Sequence, residues 1–185
     1  MTDQGTRPLE QADVEEALAP LLNSPLHDWN RAADMATIGF GAEVEADFRK
    51  KGHPGEYERR MVSQYALHLQ CNWRVVREGR IIIGSEDVYY PPAGIAEEDF
   101  DRRNAELTRR DELVDAFIGH RAEPHVVVSV DSFSTGDFRL GFDDGCALAT
   151  FIGRAQDRAN DREHWRFFVT GAARHFVVRA AGVDL

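Results

Sequence analysis

The chain has 185 residues and a formal net charge of −10, with 43% hydrophobic and 29% charged residues. That length allows a single domain, residues 1–185, whose core needs neither disulfide nor metal, and the apolar fraction excludes a disordered chain. The negative field disfavours nucleic acid and anionic membranes and suits a basic protein partner.

The first seven residues read as a loose tail. They lack the basic start and apolar core of a signal peptide, and no apolar run reaches the length of a membrane span. Two cysteines, Cys71 and Cys146, are too few for a secreted disulfide scaffold. The expected compartment is the cytoplasm.

From Pro8 to Leu22 the pattern is helical, with Val14, Leu18, Leu21 and Leu22 on one face and a kink or restart expected at Pro20. Residues 29–40 look extended and end in the bend Gly39-Phe40-Gly41. Residues 42–61 are highly charged around Gly52-His53-Pro54-Gly55 and read as a mobile loop.

Next comes a segment of strict alternation. Tyr65, Leu67, Leu69, Cys71, Trp73 and Val75 form an apolar row, and His68, Gln70, Asn72 and Arg74 form a polar one. This is the signature of one half-buried strand in an antiparallel sheet. A three-residue loop, Arg77-Glu78-Gly79, would pair Val75 with Ile81 and Trp73 with Ile83. A two-residue loop would set Arg74 against Ile83 and mix the faces, so the longer loop is expected.

Residues 93–123 read as a second helical region, two helices in tandem. Phe100, Leu107 and Val114 recur at intervals of seven, Thr108 and Asp111 make a capping box, and Gly119 closes the last turn. Between Glu86 and Asp115 ten acids face four bases, which suits either a solvated face or a surface for a basic partner.

The remainder is β. Val126, Val127, Val128 and Val130 make a dense strand. A turn at Asp143-Asp144-Gly145 pairs Leu140 with Leu148 and Phe142 with Cys146, so both thiols fall on apolar hairpin faces and read as buried and inert. A four-residue loop at 170–173 pairs Phe167 with Phe176 and Trp165 with Val178, leaving His164, Arg166, His175 and Arg179 on the other face. The expected fold is α+β: a curved, mainly antiparallel sheet of about eight strands with the helices packed on one face.

The polar row His68, Gln70, Asn72, Arg74 is the first binding candidate, because four hydrogen-bonding side chains in line can grip a peptide, a sugar or a phosphate. Glu86 and Asp87, with Tyr89 and Tyr90 nearby, are the second, although neighbouring strand residues point to opposite faces. The seven histidines form no metal motif, and neither a nucleophile elbow nor a phosphate loop is present. No catalytic residue, metal site or cofactor is assigned.

Three segments together carry a resemblance. Trp73 to Pro91 spells W-R-x-x-x-x-G-x-I-x-x-G-S-x-D-x-Y-Y-P, Phe138 to Gly145 spells F-R-L-x-F-x-D-G, and Glu163 to Phe168 spells E-H-W-R-F-F, followed by His175 to Val178. Over about residues 60–180 this is similar to a group of actinobacterial proteins that carry no assigned activity, so the resemblance implies no catalytic residues. The hairpin style is also similar to bacterial toxin-immunity proteins. The leading expectation is an acidic, non-enzymatic protein-binding module, such as an immunity-type inhibitor of a basic toxin. A small-molecule enzyme using His68, Arg74 and Glu86 is the second reading, and a homo-oligomer subunit with sheet edges paired between chains is the third.

Overall fold

The computed structural model describes residues 7–50, 52–101, 103, 105–153 and 162–184. Residues 1–6 of the expected tail lie outside that range. Arg7, counted with the tail, is anchored instead: it bridges to Val183 and pairs with Asp13.

The fold is α+β, but the single curved sheet gives way to two antiparallel sheets. Strands β1 (Leu26–Ala32), β2 (Met35–Arg49), β3 (Tyr57–Leu69), β9 (Glu163–Val169), β10 (Phe176–Arg179) and β11 (Gly182–Asp184) form a six-stranded sheet in the order β1-β2-β3-β9-β10-β11. Strands β4 (Asn72–Arg77), β5 (Arg80–Gly84), β6 (Val127–Ser132), β7 (Phe138–Phe142) and β8 (Ala147–Phe151) form a five-stranded sheet, β5-β4-β8-β7-β6.

One hydrophobic cluster draws on both sheets. Trp29 of β1 meets Trp73 of β4 at 4.9 Å between ring centroids, and Trp165 of β9 meets Phe138 of β7 at 5.0 Å. Each pair joins one sheet to the other, in the tilted or edge-on geometry that aromatic quadrupoles favour. Trp165 also donates its indole N–H to the Gly136 carbonyl at 2.8 Å, so its polar atom is satisfied in a fully buried place. At one corner the sheets are laced by backbone: Asn23 N–H to Val127 O, Val127 N–H to Ser24 O and Leu26 N–H to His125 O.

The alternation from Tyr65 to Val75 hides the crossing between sheets. β3 stops at Leu69 and β4 begins at Asn72. Between them, the Gln70 and Cys71 N–H groups both donate to the His164 carbonyl, at 2.8 and 2.9 Å. An inward row that passes from one sheet of a sandwich to the other keeps its period of two, so sequence periodicity cannot register the step.

The β4–β5 hairpin takes the shorter loop. Arg77 pairs with Arg80 across Glu78 and Gly79, both at positive φ (49° and 74°), the signature of a type I′ turn. The register slips between Val75 and Val76, so Ile82 bulges and Val75 still faces Ile83. The bulge removes the face conflict that argued against this loop. The other two hairpins keep the expected register: Leu140 opposite Leu148, Phe167 opposite Phe176, and Trp165 opposite Val178. His164 is buried, however, and does not share an open polar face.

Residues 42–61 are mostly strand, not a loop. β2 and β3 run on past the sheet as a two-stranded arm, Glu43–Arg49 against Tyr57–Ser63, closed by a turn in which Lys50 N–H donates to Glu56 O. The segment Glu43-Val44-Glu45-Ala46-Asp47-Phe48 alternates acid with apolar, a strand period that its charge density conceals. Gly41, at φ 86°, sits in the register break where β2 leaves the sheet.

The helices do not cover one sheet face. α1 (Gln11–Leu18) continues into a 3₁₀ turn at Ala19–Leu21 around Pro20 and packs against β6. α2 (Arg109–Gly119) packs against β1 and β5, one edge strand of each sheet. Thr108 and Asp111 form its capping box. Among the described residues the first half of the expected tandem shows one 3₁₀ turn, Glu97–Asp99, and Leu107 is exposed and offers no buried stripe. None of the described helices is long and apolar enough to cross a membrane.

Candidate functional site

The polar row is split three ways. His68 lies on β3 opposite Thr37 and Arg166, half-buried, with its ring edge-on to Phe168 at 5.1 Å. Burial, then the neighbouring Arg166 guanidinium, lowers its pKa below the ordinary value of 6.5. Gln70 and Asn72 line a cavity of about 490 Å³ at the crossing between the sheets, together with Cys71, Arg162, Glu163 and His164. Arg74 stands on the five-stranded sheet with its guanidinium 4.2 Å from the Phe151 ring centroid. Glu86 is exposed, and Asp87 accepts the Gly84 N–H at 2.7 Å, which makes it a cap for the 3₁₀ turn Ser85–Tyr89.

The crossing cavity brings a thiol and an imidazole to one place, yet it does not form a reactive thiol. Burial pushes the Cys71 pKa up to about 12, so the thiol is protonated at neutral pH. Burial also raises the Glu163 carboxyl, but Arg166 and Gln70 more than offset this and leave it below its usual value.

A second cluster lies at the β7–β8 turn. His125, Asp143 and Asp144 point ligand-type atoms within 4.8 Å of one another. Their capacity is already used. Arg121 grips Asp143 through two bonds of 2.7 and 2.8 Å, and Arg77 holds Asp144 at 2.8 Å. His125 is stacked on Phe117 at 3.9 Å, with Nε2 on the Phe117 carbonyl at 3.0 Å. Asp143 also accepts the Val126 N–H, and with Arg121 this holds its carboxyl far below the ordinary range. The set ties α2, β6 and the turn together as a latch. Sequence spacing missed it because His125 and the two aspartates meet only through the β6–β7–β8 register.

A wide groove of about 1080 Å³ lies on the outer side of the six-stranded sheet, between β1, the arm and the end of β9. Its floor carries His68, Ala66, Thr37 and Phe168. Its sides carry the carboxylates of Asp28, Glu43, Glu45 and Asp47, with Phe48 and Met61. Arg60, His27 and His68 are its basic or titratable nitrogen groups. Asp28 accepts a hydrogen bond from Ser63 Oγ at 2.6 Å. Gly39 lies under that bond, and a methyl there would overlap both side chains. Cross-strand neighbours set the order along the arm: Glu43 faces Ser63, Glu45 faces Met61 and Asp47 faces Arg59. Of the residues singled out from sequence, only His68 belongs to this groove. The acidic alternation at 43–48 was its readable signal.

No protein-family profile, no curated protein and no solved structure matches the chain.

Proposed function

We propose that this protein is a non-enzymatic binding module whose acidic groove holds a basic, partly apolar segment of a protein partner. The observation that carries the reading is the groove itself, where four carboxylates stand beside Phe48, Met61 and Phe168. Alternating acid and apolar contacts along strands suit an extended segment with alternating cationic and apolar side chains. The candidate reactive groups support binding over catalysis. The Cys71 thiol, beside His164 in the crossing cavity, stays protonated at neutral pH. An immunity-type inhibitor of a basic toxin is one member of this class.

The test is a titration with a short peptide alternating arginine and valine, followed by amide resonances, with an alternating glutamate–valine peptide as control. The arginine peptide should shift resonances of Asp28, Glu43–Phe48 and His68, more weakly at high salt. The double variant Glu45→Lys, Asp47→Lys should abolish the shifts. A response elsewhere, or equal responses to both peptides, sinks the reading.

A further inference from the structure

We propose that the basic segment taken by this groove is the arm tip of a second copy of the chain, with two arms paired along their β2 edges about a twofold axis. The inference rests on the groove reading above and adds its occupant.

β1 pairs with β2 only as far as Phe40, and the Pro25 carbonyl takes the Gly41 N–H at 2.8 Å. From Glu43 to Arg49, β2 pairs with β3 alone among the described residues. A ribbon of two strands is marginal in water, and an open strand edge is a template for another strand. Phe48 is 39% exposed on it and Met61 55%.

The edge sequence Glu43-Val44-Glu45-Ala46-Asp47-Phe48-Arg49 complements itself in antiparallel register when Ala46 meets Ala46 of the second copy. Glu43 then stands opposite Arg49, and Val44 opposite Phe48. Glu45 stands opposite Asp47, where each arm's own Arg59 already reaches both carboxylates, at 3.6 and 3.4 Å. A slide of one residue sets Phe48 against an acid. A slide of two breaks the Val44–Phe48 pairing, setting Val44 against Lys50 in one direction and Phe48 against Ala42 in the other. Only the first register keeps Val44 opposite Phe48 on both sides of the twofold axis.

In that register the second copy's strand runs past Glu43 toward its own turn. Its Arg49 meets Glu43 at the acidic base of the groove, and its Lys50 follows where β1 and β2 part. Lys50 and Lys51 are the chain's two lysines, and they follow Arg49 directly. Lys50 is otherwise held by an exposed pair with Glu56 at 3.3 Å, which is weak enough to exchange.

Sedimentation equilibrium on the full chain tests this. Wild type should sediment at twice the 20.9 kDa chain mass. Glu43→Arg alone, or Arg49→Glu alone, should weaken association roughly tenfold or more. The chain carrying both changes should recover it, because the pair is restored with its signs exchanged. Phe48→Ala should weaken association without touching charge, and far-UV circular dichroism should show each variant folded. A wild type that remains a single chain at millimolar concentration overturns the inference. If that monomer still takes the arginine–valine peptide, the groove reading stands without this occupant; if it does not, both fall. A dimer indifferent to every one of these changes also overturns it.

Discussion

Ser63 donates its hydroxyl hydrogen to Asp28 at 2.6 Å directly above Gly39, so three strands meet at one point that has no room for a side chain. β1 supplies the acid, β2 the gap and β3 the donor. Gly39→Ala forces the bonded pair apart and should cost roughly 1–3 kcal/mol in urea denaturation. Ser63→Ala, which removes the donor and leaves the space, should cost less. Equal stability of Gly39→Ala and wild type would refute the close approach.

Acidification should loosen the sheet through His68. Its pKa is lowered in the folded chain, so below the ordinary value of 6.5 the unfolded chain binds the extra proton and the folded chain does not. Stability therefore falls as pH drops through that value and is fully present above it. The groups that perturb His68 are Arg166, Glu163 and His175. Denaturation midpoints at pH 7.5 and pH 5.5 should differ less in His68→Gln than in wild type. An unchanged difference would move the pH dependence to another group.

The latch at His125 makes two claims. His125 is 2% exposed, so His125→Ala removes a packed ring and its bond to the Phe117 carbonyl, which should cost about 2–4 kcal/mol. Because arginines occupy the two aspartates, added zinc should leave the thermal midpoint of the wild type unchanged. A rise of several degrees would mean that the cluster is a metal site.

Both cysteines should resist alkylation in the native chain. Burial raises the Cys71 thiol to about 12, and burial also raises Cys146, which sits on the Arg77 guanidinium at 2.9 Å. Iodoacetamide at pH 8 should leave both unlabelled by mass spectrometry, and denaturant should expose both. Rapid native labelling of Cys71 would restore it as a candidate nucleophile.

The local readings that survived are those in which the chain's own chemistry decides the outcome. The Thr108–Asp111 capping box starts α2, and the Asp143-Asp144-Gly145 turn sets Leu140 opposite Leu148. What periodicity could not convey is which sheet a residue joins. The apolar row from Leu67 to Val75 faces one core throughout, whether it lies in one sheet or two, so the crossing at Gln70–Cys71 left no mark. The row His68 to Arg74 was broken for the same reason. The arm was hidden differently: charged residues alternate with its apolar ones, and a largely exposed ribbon lacks the hydrophobic contrast by which strands are recognised.

The order of strands has a consequence for how the chain is made. The five-stranded sheet is drawn from one continuous stretch, residues 72–151, and can close as soon as that stretch is synthesised. The other sheet is drawn from both ends of the chain, because β3 pairs with β9 about a hundred residues later. Until those last strands leave the ribosome, β3 keeps an unpaired flank carrying Leu67 and Leu69, the kind of exposed edge that captures neighbouring nascent chains. The final 23 described residues, 162–184, therefore act as a closing clasp for β3, and truncating them should leave a product that is insoluble rather than merely less stable.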